Sequence, residues 1–213
     1  MKRIVILISG RGSNMLSILD SDLPVIVAAV ISNRADSPGL DIAKARGLPA
    51  LAIEHRNYAA REDFDSALAD KIDGYSPDFV ILAGFMRILG NDFVARYSGR
   101  LVNIHPSLLP AFAGTRTHRR ALEEGVRIHG CTVHSVTEKL DHGAIIIQAA
   151  VPVLENDTEE SLSARVLEQE HKIYPEAIRW LALGRLKLEG NRVLLENPGM
   201  QPDALISPSL DAR

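Results

Sequence analysis

The chain has 213 residues, 46% hydrophobic and 5% aromatic, which is enough for one sizeable, mostly aliphatic core. Its formal net charge is −3, with acids and bases interspersed, so a basic nucleic-acid footprint is excluded. A single cysteine, Cys131, excludes an intrachain disulfide framework, and no apolar stretch is long enough to span a bilayer. The first apolar run, "IVILI", is too short for a signal core and meets "SGRGSN" at once, so a cytoplasmic protein with no membrane partner is expected.

Residues 3–9, "RIVILIS", form a continuous apolar run bounded by glycine, the pattern of a strand buried on both faces. The run "VIVAAVIS" at 25–32 repeats it. "GLDIAKARG" reads as a helix closed by Gly47, and "LPALAI" as a further strand. In "REDFDSALADKI", Phe64, Ala67, Leu68 and Ile72 share one helical face. "PDFVILAG" is another buried strand, then "FMRIL" and a short helix near 91–97. "RLVNIH" is the next strand, followed by "AFAGTRTHRR" as a mobile loop. After about residue 126 the alternation stops. "HGCTVHSV" and "AIIIQAAVPV" are strands joined only by "TEKLDHG", so they pair antiparallel or nearly so. A long helix covers about 158–183, and "RLKLE-GN-RVLLE" reads as a hairpin turning at Gly190-Asn191. From Asn197 the chain is rich in Pro, Ser, Asp and Gly, the composition of a loosely ordered tail.

These elements specify an α/β fold. Its sheet is mostly parallel and twisted, with helices on both faces, Rossmann-like in the N-terminal half and extended by antiparallel strands in the C-terminal half.

Four features carry candidate chemistry. The loop "SGRGSN" (9–14) joins the first strand to the first helix, where ligands bind in parallel sheets. Gly10 and Gly12 permit close backbone approach, Ser13 or Asn14 can cap the helix, and free amides attract an anion. The loop reads as a phosphate site or as a plain tight turn. Spacing speaks against a dinucleotide, since position 15 is Met, and no P-loop lysine follows. In "NIHPSLLP", Asn103 and His105 are two apart and share a face at a strand end, either as polar closure or as catalytic groups. Asp141 in "TEKLDHG" could orient an imidazole or serve only a turn. Glu170 interrupts the apolar stripe Leu162, Val166, Ile173, Ala177, Leu181, so it must be paired, reach the helix edge or face a cleft. His55, His118, His129, His134, His142 and His171 show no zinc spacing, alone or with Cys131, and no metal is expected. No Gly-x-Ser-x-Gly elbow is present.

The segments "ILISGRGSN", "ISNRADSPGL", "LAGFMRIL", "LVNIHPSLLP", "HGCTVHSVTEKLDHG" and "QEHKIYP" occur in this order. Together they resemble the 10-formyltetrahydrofolate-dependent formyltransferases, and among them the phosphoribosylglycinamide formyltransferases of purine synthesis. The likeness runs from about residue 3 to 188. It implies transfer of a formyl group from 10-formyltetrahydrofolate, a cosubstrate, to the primary amine of glycinamide ribonucleotide. It implies small-molecule partners only, no metal, and a monomer or homodimer.

By the same resemblance, His105 is general acid and oxyanion stabiliser, Asn103 donates to the same oxygen, and Asp141 assists proton movement. Gly12, Ser13 and Asn14 take the substrate phosphate, and Glu170 takes the sugar hydroxyls. The pterin lies along Met86, Arg87, Ile88 and Leu89 and against Thr137, Glu138, Lys139, Leu140 and Asp141, with Arg61 near the folate. One domain is expected over 1–196, with a phosphate-binding half (1–100), a catalytic and folate-binding half (101–196) and the tail 197–213. Three departures stand out: Arg11 between the glycines, Leu167 where a polar residue can meet the ribonucleotide, and the loop 111–120.

The rivals are a methionyl-tRNA formyltransferase, which carries a further C-terminal domain, and a formyltetrahydrofolate hydrolase, which carries an N-terminal regulatory one. A non-catalytic nucleotide-binding module would leave Asn103, His105 and Asp141 without work.

Overall fold

A computed structural model describes residues 1–198, 205 and 207; the tail expected from residue 197 lies almost wholly outside the described residues. The elements in chain order are β1 (Lys2–Ile8), α1 (Ser13–Leu19), β2 (Val25–Ser32), α2 (Pro38–Ala45), β3 (Ala50–Ala52), a short 3-10 turn (His55–Asn57), α3 (Arg61–Asp73), β4 (Phe79–Leu82), α4 (Asn91–Arg96) and β5 (Leu101–His105). Then come α5 (Thr117–Glu123), β6 (Ile128–Ser135), β7 (Ile145–Pro152), α6 (Glu159–Ala182), β8 (Leu186–Glu189) and β9 (Arg192–Leu195).

The nine strands form one sheet in the order β3-β2-β1-β4-β5-β6-β7-β9-β8. The five strands from β3 to β5 are parallel, and β6 and β7 return antiparallel. The strand order reverses at β1 and β4, so the crevice beyond their carboxyl ends is the topological switch point.

The continuous apolar runs follow from burial on both faces. Ile4, Ile6 and Ile8 of β1 pack on one side with Met15, Val166 and Tyr174. Val5 and Leu7 pack on the other with Phe64, Leu68 and Ile72 of α3. Helix α6 starts with a capping box: the Thr158 hydroxyl accepts from the Ser161 N–H, and Ser161 answers the Thr158 N–H. Its fully buried Tyr174 donates to the carbonyl of Leu82 at 2.8 Å, fastening the helix to β4. Among the described residues, no helix is long and apolar enough to cross a membrane.

Two expectations need correction. The segment read as a loop after Pro110 contains a helix, α5, whose Ala121 is fully buried. "RRALEE" is a run of good helix formers, and Gly125 at φ 66 ends it. On α3 the buried face is Phe64, Asp65, Leu68, Ala69 and Ile72, and Ala67 is only half-buried. Asp65 goes inside because its carboxylate accepts the Gly90 N–H at 2.7 Å. The terminal hairpin forms as expected, β8 against β9, and β9 joins it to the sheet by pairing with β7 at Ile145 and Arg192.

Gly143 is required by close approach. A Cβ there would overlap the carbonyl of Ser135, while the Ser135 N–H donates to Ala144 at 3.0 Å. Gly143→Ala therefore forces the β6–β7 connection outward, with an expected loss of about 1–3 kcal/mol in urea denaturation. His129 is fully buried on β6, edge-on to Phe112 and His118 at ring distances of 5.7 and 5.3 Å. Burial, reinforced by His118, pushes its pKa down to about 4. The unfolded chain takes up that proton near 6.5, so this contribution is intact above about 6.5 and is lost as pH falls toward 4. Acidification across that window should remove about 3 kcal/mol, and His129→Leu should flatten the slope of stability against pH.

Candidate active site

The glycine loop sits at the switch point. Gly12 precedes α1 at φ 76, and a Cβ there would meet Met15 at 3.0 Å and the Gly39 backbone at 3.3 Å. The start of α2 braces the loop: the Gly39 N–H and the Ser37 hydroxyl both donate to the Gly10 carbonyl, at 3.1 and 2.8 Å. Neither Ser13 nor Asn14 caps α1 by its side chain. Asn14 instead turns inward and donates to Glu170 at 2.7 Å. That contact ties the loop to α6, 156 positions away. Glu170 is 6% exposed within the apolar stripe, and burial raises its pKa while the Asn14 bond opposes the rise. Gly12, Ser13 and Asn14 thus lie together, with Glu170 behind Asn14. Their cleft, about 450 Å³, is also lined by Arg11, Arg34, Arg56 and Arg87.

The second cluster forms where β5 ends. The antiparallel register sets Asn103 opposite His134. The Asn103 amide donates to His134 Nε2 at 3.3 Å, and His134 Nδ1–H donates to the Ser135 carbonyl at 2.8 Å. Burial pushes the His134 pKa down, which keeps Nε2 unprotonated and able to accept. His105 is buried, with Nδ1 3.5 Å from Asp141 Oδ2 and Nε2 donating to the Phe112 carbonyl at 3.1 Å. Each ring nitrogen therefore faces an acceptor. Asp141 sits at φ 50 and accepts the Gly114 N–H at 2.8 Å, with its other oxygen 4.0 Å from His134. Asn103, His105 and Asp141 are thus brought together, and His134 joins them. Sequence reasoning weighed His134 only as a metal ligand; its place opposite Asn103 is visible once β5 and β6 are paired. Among the described residues, no three His, Cys, Asp or Glu side chains are placed to hold a metal ion.

The third group divides. Arg87, Ile88, Leu89, Thr137, Glu138 and Leu140 line one cleft with Asn103, His134 and Asp141. Ile88 and Leu140 expose 62% and 54% of their surface there, an apolar pair contributed by two separate loops. Met86 lines the glycine-loop cleft instead. Lys139 faces solvent, and its carbonyl accepts from the Thr137 hydroxyl at 3.2 Å. Arg61 stands apart, beside Gly90 and 3.5 Å from Glu62. Asp65 was not anticipated as a site residue, yet its bond to Gly90 pins the end of the Met86–Leu89 stretch. Arg87 lies over the Phe64 ring at 5.6 Å.

Comparison with known proteins agrees with this arrangement. Residues 2–178 match the family described as formyl transferase. The chain is 48% identical over 203 residues to the phosphoribosylglycinamide formyltransferase of Escherichia coli, covering 93% of this chain and 96% of that one. Its structure is similar to glycinamide ribonucleotide transformylase 1 from Symbiobacterium toebii, with a TM-score of 0.90 and 51% identity over 92% of this chain and 95% of the other. A formyltetrahydrofolate deformylase from Pseudomonas syringae shares the fold at a TM-score of 0.85. It is 26% identical, and the match covers 92% of this chain and 66% of that one. The chain belongs to the formyl transferase family.

Proposed function

We propose that this enzyme moves a formyl group from 10-formyltetrahydrofolate to the primary amine of glycinamide ribonucleotide, releasing tetrahydrofolate. The observation that carries the reading is the convergence of Asn103, His105 and Asp141, of which Asn103 and Asp141 line one cleft that shares Arg87 with a second, different one. One is a glycine loop with free first-turn amides and arginines around it, suited to a phosphate. The other has exposed apolar edges and polar ends, suited to a flat heteroaromatic ring such as a pterin. The strong likeness to phosphoribosylglycinamide formyltransferases over nearly the full length of both chains favours transfer over hydrolysis.

The chemistry asks for an oxyanion site and a proton route. The substrate amine attacks the formyl carbon, the new C–N bond forms, and the carbonyl oxygen gains charge. Asn103 has two amide protons; one is given to His134, and the other is free for that oxygen. His105 supplies a second donor when its Nε2–H leaves the Phe112 carbonyl for the oxyanion. Asp141, beside Nδ1, holds the ring and takes the proton lost by the amine. That proton returns to the leaving folate nitrogen as the old C–N bond breaks, so charge balances. Gly12, Ser13 and the Asn14 backbone bind the phosphate, because the Asn14 side chain is committed to Glu170. Glu170 accepts from the sugar hydroxyls, and Arg87, Ile88, Leu89 and the 137–141 loop hold the pterin. Arg61, next to Gly90, meets the outer part of the folate. The enzyme acts in the cytoplasm on small molecules, as a monomer or homodimer, through one domain over 1–196.

Two variants test these roles by steady-state formyl transfer to glycinamide ribonucleotide. Asp141→Asn keeps an acceptor for the Gly114 N–H, so the melting temperature should hold while kcat falls on the order of 100-fold or more. A kcat near that of the wild type would remove Asp141 from the proton route. Ser13→Asp places a negative charge on the glycine loop and should raise KM for the ribonucleotide about tenfold or more, with the folate KM little changed. An unchanged ribonucleotide KM would take the loop out of the phosphate site.

A further inference from the structure

Two buried polar side chains beside the glycine loop have no part in the scheme above. Ser9, just beyond β1, is 7% exposed, and Asn33, just beyond β2, is 4% exposed. The Ser9 hydroxyl donates to Asn33 Oδ1 at 2.6 Å and accepts the Met86 N–H at 2.7 Å. The Asn33 backbone carbonyl and side-chain amide both lie against His55 Nδ1, at 2.8 and 3.2 Å.

The direction of this chain is determined. A serine hydroxyl has one proton, and the Met86 N–H can only donate, so Ser9 must give its proton to Asn33. Burying these groups is costly unless all are paired, so the three segments are held as a unit. Those segments leave the carboxyl ends of β1, β2 and β4. Ser9 directly precedes Gly10 of the glycine loop, and Met86 directly precedes Arg87, Ile88 and Leu89. Ser9 therefore ties the glycine loop, across 77 positions of sequence, to the backbone directly before Arg87, the residue that lines both clefts.

We propose that Ser9 is a positioning residue that couples the two substrate sites. The inference rests on the assignment of those sites to the ribonucleotide and the folate. A phosphate drawn onto the loop after Gly10 orders the end of β1, and Ser9 passes that order to the Met86 amide. A ring bound along Arg87–Leu89 orders the same amide and acts back on the loop. Linkage makes the effect reciprocal: each ligand raises the affinity of the other by one common factor.

Tetrahydrofolate and glycinamide ribonucleotide bind together with no formyl group to transfer, so the coupling can be read at equilibrium. In the wild type, saturating glycinamide ribonucleotide should lower the Kd for tetrahydrofolate at least about fivefold. In Ser9→Ala that ratio should fall to near one while each ligand alone still binds. Ser9→Thr keeps the hydroxyl and should keep the coupling. Asn33→Ala leaves the Ser9 proton without its acceptor and should lose most of it. A merely structural serine would change the melting temperature or weaken both ligands alike without moving the ratio. The same ratio in wild type and Ser9→Ala overturns the proposal, as does a wild-type ratio of one. A wild type that binds neither ligand overturns both this proposal and the functional reading beneath it.

Discussion

The pairing of β5 with β6 is the constraint on which the centre of this molecule depends. Parallel strands could have delivered Asn103 and His105 to the carboxyl end of the sheet, but not what faces them. Because β6 returns antiparallel, His134 falls opposite Asn103, and the chain leaves β6 beside Leu101 at the start of β5. From there the 136–144 connection turns back and carries Asp141 to within 3.5 Å of the His105 ring. Gly143 lets that connection lie flat against Ser135, and the Gly114 amide holds the carboxylate from the other side. The change of strand direction thus sets Asn103 against His134, and the connection that follows it brings the carboxylate to His105.

The polar groups gathered at this end of the sheet carry a folding cost. His105, His134, Ser9, Asn33 and Glu170 are all at least nine-tenths buried. Each is paired: His134 with Asn103 and Ser135, His105 with Phe112 and Asp141, Glu170 with Asn14, and Ser9 with Asn33 and Met86. Pairing removes most of the desolvation penalty, and the aliphatic core on both sides of β1 supplies the favourable balance. This division of labour is typical of a preorganised site, in which dipoles are already oriented before a charge develops.

Much of this was legible in the residues. The buried strands were visible as continuous apolar runs, because both faces of a parallel sheet are covered. Asn103 and His105 stood out because spacing of two puts side chains on one face. Glu170 stood out because a carboxylate interrupts an apolar stripe. What was not legible depends on contacts between distant segments. Nothing local marks Asp65 for burial; its partner is an amide 25 positions away. The Asn14–Glu170 contact and the role of His134 need the tertiary fold. Met86, Lys139 and Arg61 were grouped with the pterin stretch by adjacency and resemblance. The fold turns Met86 toward the glycine-loop cleft, leaves Lys139 in solvent and seats Arg61 beside Gly90, since neighbours in a loop need not share a face.

The fold alone does not separate transfer from hydrolysis, because the deformylase of Pseudomonas syringae has it too. The separation lies in what attacks the formyl carbon. Release of tetrahydrofolate from 10-formyltetrahydrofolate should therefore be followed with and without glycinamide ribonucleotide. Release is expected only when that amine is present, in equal amount to the formylated product. Release at a comparable rate without the amine would contradict transfer and identify a hydrolase.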